Sequence, residues 1–190
     1  RVDLQFSPTS PTRPWSESVN ALAGQWLLQA DQSIDLALFV FSDQQLSTLL
    51  QKSYTAGVAI RALIDAGFAY RPYSEALDLL GIALLNTQCR YDHGNSPWLP
   101  SLQTVGVPAL PEGDVLHHKF AVLDNQRVIT GSQNWSAAAN FQNDEVLLAI
   151  ANPTVAAHFQ REFERLYGQA STGVPGWLLE KVDEARSRCR

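Results

Sequence analysis

Apolar segments that alternate with helix-like segments constrain the fold of this chain more than any other feature. Residues 33–41 are rich in Ile, Leu, Phe and Val and predict a strand buried on both faces, and residues 58–64 predict a second strand. Between them, Ser42 or Asp43 caps a helix that Gly57 ends. Strands joined by helices pack those helices on both faces of one sheet. The order therefore predicts an α/β fold, a three-layer sandwich with a mixed, largely parallel central sheet and helices on both faces.

The rest of the chain continues the same pattern and contains one long irregular segment. Residues 87–113 show no periodicity and predict an irregular loop, which is more often functional than idle at that length. The other predicted elements are strands at 2–6, 83–85, 117–124, 127–130 and 145–150 and helices at 16–30, 73–80, 153–166 and 176–190. Residues 1–190 are thus expected to form one domain, or one half of a larger two-lobed protein.

Net charge limits the surface that this chain can offer to a polyanion. The chain carries a formal net charge of −5, which argues against a large non-specific surface for nucleic acid, because such binding needs several cations on one face. A local basic groove is compatible with that charge, and scattered surface charge is the alternative. The cations considered for such a groove are Arg61, Arg71, Arg90, Lys119 and Arg127.

Residues 117–124 place a histidine and a lysine two positions apart in a strand-like segment. Because side chains of an extended chain point alternately to two faces, His117 and Lys119 lie on one side and converge on one small anion. An imidazole can attack phosphorus, and an ammonium group can hold phosphoryl oxygens. A turn and a returning strand then bring the Ser132 hydroxyl and the Asn134 amide beside the same anion. The segment predicts a site for phosphate transfer.

The spacing of these residues resembles the HKD motif of the phospholipase D superfamily. The likeness extends to the single-motif branch that includes the mitochondrial cardiolipin hydrolase (Zucchini) proteins and small bacterial endonucleases. The resemblance rests on His117, Lys119, Asp124, Gly131, Ser132, Asn134, Trp135 and Glu145. The resemblance implies a phospholipase D-like fold and a phosphodiesterase that uses a covalent phosphohistidine.

The resemblance also implies roles for further residues and for a second copy of the motif. Superfamily members bring two motifs together, so the second histidine would come from a homodimer or from a second motif in the same polypeptide. Glu145 stands where the superfamily has the carboxylate that orients the nucleophilic imidazole. Asp124 ends the motif strand on the face opposite His117, and a supporting role is expected for it. His118 points away from His117, and the spacing of His93 does not favour it as the partner.

No cofactor or metal ion is expected, because no carboxylates or histidines have the spacing of metal ligands. Charge neutralisation at phosphorus then falls to Lys119, from two copies of the motif. Cys89 and Cys189 lie far apart in sequence without a Cys-x-x-Cys pattern, which makes a structural zinc site improbable and leaves a disulfide open. This departs from those Zucchini-type proteins that carry a zinc-binding insertion.

Single-stranded nucleic acid is the expected substrate, and the chain is accordingly expected to be a metal-independent endonuclease. The alternative is a phospholipid hydrolase or transphosphatidylase of the cardiolipin type, since both substrates present the same reacting group. A third hypothesis is a non-catalytic phosphate-binding or dimerisation module. Trp98 in the irregular loop either stacks on a base of the substrate or anchors the loop to the fold.

Overall fold

The computed structural model describes residues 1–92 and 94–190, so His93 lies outside the described residues. The strands are β1 (Val2–Phe6), β2 (Ser33–Leu38), β3 (Ala59–Ile64), β4 (Val105–Val107), β5 (Lys119–Leu123), β6 (Arg127–Gly131), β7 (Val146–Ala151) and β8 (Ser171–Thr172). The helices are α1 (Val19–Leu27), α2 (Gln44–Thr55), α3 (Glu75–Leu79), α4 (Ala137–Phe141), α5 (Pro153–Tyr167) and α6 (Gly176–Arg188), with a 3₁₀ turn at Trp15–Glu17.

The strands form one mixed sheet in the order β1-β7-β6-β5-β2-β3-β4-β8. Only β2 with β3 and β3 with β4 pair in parallel, and the other neighbours are antiparallel. The predicted α/β class and mixed sheet are confirmed, but a largely parallel sheet is wrong. The reason lies in the second half of the chain, where β5 and β6 join through a tight turn at Asp124 and Asn125, both with positive φ.

Two apolar layers enclose the sheet. On one face, α1 and α2 bury side chains such as Trp26 and Leu50 against the inward side chains of β2, β3, β5 and β7. On the other face, α5 buries Phe163 and Leu166 against β2, β3, β5 and β6. Side chains of β5 alternate between these layers, since Ala121 belongs to the first and Phe120 to the second. This alternation decides which motif residues share a face.

Two local predictions in the middle of the chain were wrong. Residues 83–85 do not form a strand, and β4 lies inside the segment predicted to be an irregular loop. Trp98 is 2% exposed and stacks on Tyr54 with ring centroids 5.8 Å apart. It anchors the loop to the core and is not available to stack on a substrate, because its indole is already covered.

Helix α6 packs at the end of the fold near α3 and is tied to the loop before β4. Leu178, Val182 and Ala185 are buried against Leu77 and Leu84. A disulfide joins Cys89 to Cys189, across 100 positions of sequence. The disulfide question left open by the sequence is thereby answered, and the bond restricts the unfolded chain. None of the helices in the described part of the chain is long and apolar enough to span a membrane.

Two carboxylates are buried close together at α3. Glu75 is 3% exposed and Asp78 is fully buried. Burial is the main cause that raises the pKa of Glu75 to about 9, and the neighbouring charge of Asp78 adds to it. Burial likewise raises the pKa of Asp78. Glu75 therefore carries a proton in the folded protein at neutral pH.

The raised pKa of Glu75 predicts a loss of stability with rising pH. Below pH 4.5 both folded and unfolded chains are protonated at this position, so the stability is fully present there. Between pH 4.5 and the folded pKa of about 9, each pH unit favours the unfolded state by up to about 1.4 kcal/mol, and the loss of stability is complete above that range.

We expect Glu75→Gln to be more stable than the wild type at pH 8 and to have a flatter dependence of stability on pH. Urea unfolding at pH 5, 6.5 and 8 measures the difference. Glu180→Gln, at an exposed position of α6, is the matched control. Parallel pH profiles for the wild type and Glu75→Gln would contradict the assignment of a buried proton to Glu75.

Candidate active site

The motif strand begins where two strands of the sheet end. Lys119 lies opposite Leu38 in the antiparallel pairing of β5 with β2, and the backbone N–H of Phe39 donates to the His118 carbonyl at 2.7 Å. Because Leu38 belongs to the layer under α1 and α2, Lys119 lies on that face. His117 shares the face by alternation, and His118 points to α5. This confirms the separation predicted for the two histidines.

The ring of Phe39 supports both catalytic candidates, a role that the sequence analysis missed. Its centroid lies 4.7 Å from the imidazole centroid of His117 and 5.0 Å from Nζ of Lys119. Phe68 packs edge-on against the same ring at 4.6 Å. An aromatic face attracts a cation. The only signal in the sequence is that Phe39 lies near the end of the apolar segment 33–41, and nothing in the sequence shows that β2 pairs with the motif strand.

Five of the residues predicted for catalysis line one cavity of about 360 Å³. Gly131 completes its wall. The lining is His117, Lys119, Gly131, Ser132, Asn134 and Glu145. The structure therefore brings a nucleophile candidate, a cation, a hydroxyl, an amide and a carboxylate around one space large enough for a phosphate group.

Gly131 is required at the point where β6 ends beside β7. Its φ of +146° lies in the region that L side chains rarely adopt, and a Cβ atom there would collide with the Val146 carbonyl oxygen. The close approach allows the backbone N–H of Ser132 to donate to that carbonyl at 3.0 Å. The Ser132 hydroxyl accepts a bond from the Val146 N–H at 3.1 Å, which leaves its own proton free for a ligand.

Asn134 and Glu145 present polar groups to the cavity in different ways. The Oδ1 atom of Asn134 is buried without a partner among the described residues. A buried polar atom of this kind marks a place for a ligand or water. The Glu145 carboxylate accepts a bond from the Asn143 side chain at 3.3 Å. Its charge also acts on Lys119.

Lys119 is a largely buried cation whose surroundings favour the neutral amine. Its side chain is 8% exposed, and Nζ donates to the His117 carbonyl at 2.8 Å. Burial lowers the pKa of Lys119, and the nearby charge of Glu145 acts in the opposite direction. An anion in the cavity would act in the same direction as Glu145 and would favour the charged form.

Asp124, which was expected among the catalytic residues in a supporting role, does not line the cavity. It lies beyond the far end of β5, where its carboxylate accepts bonds from the backbone N–H groups of Asp31, Gln32 and Ser33 at 2.8–3.1 Å. These bonds, together with the charge of Arg127, lower the pKa of Asp124 despite its partial burial. The supporting role expected for Asp124 is what the structure shows: it fixes the chain at the start of β2.

The two other described histidines are bound on the opposite face. His118 shares a hydrogen bond of 2.8 Å with Glu162 of α5, and His158 accepts one from Arg161 at 2.7 Å. Arg165 and then His118 lower the pKa of Glu162 to about 2. His118 therefore makes a structural hydrogen bond to α5.

A buried polar network lies beneath the loop that carries Ser132 and Asn134, and sequence reasoning missed it. The Gln133 side-chain amide donates to Asn20 at 3.0 Å and to Asn140 at 3.3 Å. Both asparagines also donate to the Asp43 carboxylate, at 2.7 and 3.3 Å. Ser7 holds the neighbouring segment before β7, since its hydroxyl donates to the Asn143 carbonyl and accepts from the Glu145 N–H. These bonds fix the loop from below.

Of the five cations considered for a basic groove, Lys119 alone lines the cavity. Arg61 binds Asp35 and Glu164 on the face covered by α5. Arg127 lies at the far end of the β5–β6 hairpin with Asp124. In the described part of the chain, no three His, Cys, Asp or Glu side chains are grouped so that they could hold a metal ion.

The chain has relatives among known families and curated proteins. A family model described as "Cardiolipin synthase, PLD-like domain" matches residues 25–167. Mitochondrial cardiolipin hydrolase from Mus musculus is 30% identical over 156 residues, which are 81% of this chain and 60% of that protein. The Homo sapiens protein of that name is 30% identical over 158 residues, which are 82% of this chain and 54% of that protein. The chain thus spans little more than half the length of these relatives.

Solved structures share the fold. Nuc from Salmonella typhimurium, described as a phospholipase D family member, has a TM-score of 0.68 and 21% identity over 92% of this chain and 99% of that one. NucT from Helicobacter pylori has a TM-score of 0.65 and 16% identity over 92% of this chain and 100% of that one. The family model covers every residue that lines the cavity. The predicted family is confirmed: this chain belongs to the phospholipase D superfamily.

Proposed function

We propose that this chain is a phosphodiester hydrolase that works through a phosphohistidine on His117. The observation that carries the proposal is the cavity in which His117 and Lys119 meet the polar groups of Ser132, Asn134 and Glu145. These are the groups that attack at phosphorus requires: a nucleophile and donors for the oxygens that gain charge. A merely phosphate-binding module would not need an exposed imidazole beside that cluster.

The reaction proceeds in two displacements. A nitrogen of His117 forms a bond to phosphorus, the bond to the leaving oxygen breaks, and a second histidine gives that oxygen a proton. Water then attacks phosphorus, gives its proton to the second histidine and releases His117. Lys119, Ser132 and Asn134 hold the nonbridging oxygens throughout, and Glu145 orients the imidazole. Charge neutralisation by Lys119 makes the reaction independent of metal ions.

The second histidine comes from a second copy of the chain. His118 and His158 are hydrogen-bonded to Glu162 and Arg161 of α5, and neither lines the cavity. A homodimer with facing motifs supplies His117 from the other copy. A second motif in a longer polypeptide would do the same in one chain.

An uncovered apolar face borders the cavity and fits a second copy. Along the edge strand β1, Val2, Leu4 and Phe6 are 59%, 53% and 65% exposed. They pair with Ile150, Leu148 and Val146 of β7. We call these six residues the apolar edge face. Because it continues into the segment of Ser7 and Glu145, a copy docked there brings the two sites near each other.

Single-stranded nucleic acid is the substrate that we propose. Two imidazoles on opposite sides of one phosphorus leave a narrow passage, which admits a single strand more readily than a rigid duplex. Phospholipid is the second candidate, because the relatives at 30% identity are named for the hydrolysis of cardiolipin. Both substrates would use the same residues.

Replacement of the nucleophile tests the mechanism. We expect His117→Ala to lower turnover of any phosphodiester by at least about a thousandfold while the protein stays folded, because loss of a nucleophile costs several kcal/mol of barrier. Initial rates and circular dichroism measure both effects. His158→Ala, at an exposed position of α5, is the control and should keep wild-type activity. Residual activity of His117→Ala within tenfold of the wild-type activity would contradict the phosphohistidine mechanism.

A comparison of substrates in excess EDTA tests the substrate class and metal independence together. Single-stranded DNA or RNA should be cut faster than duplex, and the rate should fall as salt is raised. Headgroup release from cardiolipin vesicles without any cutting of single strands would show that phospholipid, and not nucleic acid, is the substrate. Activity that EDTA abolishes and added Mg²⁺ restores would refute the role given to Lys119.

Assembly is tested through the apolar edge face. The wild type should be a twofold dimer by light scattering, and Leu4→Asp should shift it to monomer and lower activity, because a charge there would be buried in the dimer. Leu99→Asp, at a position 93% exposed, should change neither property. Excess His117→Ala mixed with wild type should form inactive dimers. A monomeric and active wild type would contradict the shared site.

A further inference from the structure

A second cleft of about 500 Å³ lies beside the ends of β3, β4 and β8. Tyr70, Arg71, Trp177 and Lys181 are among its lining residues, and no Asp or Glu is. Trp177 and Lys181 belong to α6, which lies beyond the part of the chain matched by the family model. The family model therefore does not cover the α6 side of the cleft.

The cleft offers an aromatic surface that is held in place but left open. Trp177 is 49% exposed, and its ring meets Tyr70 edge-on with centroids 4.9 Å apart. The neighbouring Leu178 is fully buried and anchors α6 in the fold. A large aromatic side chain that is fixed and half exposed can stack on a flat ligand at little cost in conformational freedom.

Two cations reach the same cleft without a carboxylate partner. The Arg71 side chain donates to the Gly67 carbonyl at 2.9 Å, and Lys181 donates to the Tyr70 carbonyl at 3.4 Å. Neither forms an ion pair within the described residues, in contrast to Arg61. Backbone carbonyls orient the two cations and leave their charge available to an anion.

The buried carboxylate of Asp65 holds residues of both the cleft and the active site. One oxygen of the buried Asp65 carboxylate accepts from the Leu116 N–H at 2.8 Å, and the other accepts from the Gly67 N–H at 2.9 Å. Leu116 precedes His117, and Gly67 lines the cleft. The ring of Phe68, next to Gly67, packs on Phe39 beneath the catalytic pair. The two sites thus lie on either side of one short loop.

We propose that this cleft binds the single-stranded substrate a few nucleotides from the scissile phosphate. A base stacks on Trp177, whose ring Tyr70 holds from the side, and Arg71 and Lys181 hold the adjacent backbone phosphate. Aromatic surface beside unpaired cations is the combination that binds single strands without reading their sequence. The inference rests on the proposed function, since it takes nucleic acid as the substrate.

Binding to a catalytically inert protein tests the cleft independently of the reaction. Full-length His117→Ala is titrated into fluorescently labelled oligothymidylate of twelve nucleotides, and anisotropy gives the Kd. Adding Trp177→Ala should raise the Kd about tenfold, and adding Arg71→Ala with Lys181→Ala should raise it at least as much and flatten its salt dependence. Leu179→Ala, at a half-exposed position of the same helix, should leave the Kd within twofold.

Kinetics of the active protein then separates the cleft from the chemistry. Trp177→Ala should raise KM for the oligonucleotide and leave turnover of bis(p-nitrophenyl) phosphate unchanged, because that small diester does not reach the cleft. An unchanged Kd and KM in Trp177→Ala would overturn the proposal, as would equal losses in Leu179→Ala. Trp177-dependent binding to phosphatidylcholine vesicles with cardiolipin, with no binding of the oligonucleotide, would overturn it in favour of a membrane. Oligonucleotide binding that depends on the cleft, together with no cutting by the wild type, would contradict the proposed function but not the binding role of the cleft.

Discussion

The buried carboxylate of Asp43 is the interaction on which the site depends. One oxygen caps α2 through the Gln45 N–H, and the other accepts from Asn20 and Asn140. These two asparagines hold Gln133, whose neighbours in sequence on either side line the cavity. Loss of the carboxylate would leave buried donors unpaired, which costs more than the bonds themselves contribute. The position of the phosphate-binding groups is thus set on the far side of the loop, by residues that no substrate touches.

Local sequence was sufficient to predict which polar side chains line the cavity, but it did not predict which distant segments pair. His117 and Lys119 share a face because a strand alternates, and a tight turn returns the chain to Ser132. The directions of the strands depend on which segments pair, and Phe39 acquires its role only through that pairing. The contacts of Trp98 and of the amides in the Asp43 network could not be predicted from the sequence for the same reason. The sequence around a buried Asn or Trp does not identify the distant residue that it contacts.

The distribution of cations bears on the function that we propose, in which an acidic chain acts on a polyanion. Arg61 and Arg127 are held in ion pairs at the α5 face and at the far end of the hairpin. Lys119, Arg71 and Lys181 lie at the end of the sheet where the cavity and the cleft are. With a net charge of −5, attraction over long distances is absent and recognition depends on contact at short range. Stacking and a few directed charges then decide which polyanion is retained.

The pairing of β1 with β7 has a consequence for the order in which the protein forms. β1 leaves the ribosome long before β7, yet the Ser7 hydroxyl accepts the Glu145 N–H that completes the cavity wall. Contacts so distant in sequence form slowly, because a long loop must close first. Until β7 has been made, Val2, Leu4 and Phe6 lie on a strand with neither edge paired, which is a template for aggregation. The nascent chain therefore has no assembled active site until one of its latest strands has been made, and protection of its first strand governs the yield of folded protein.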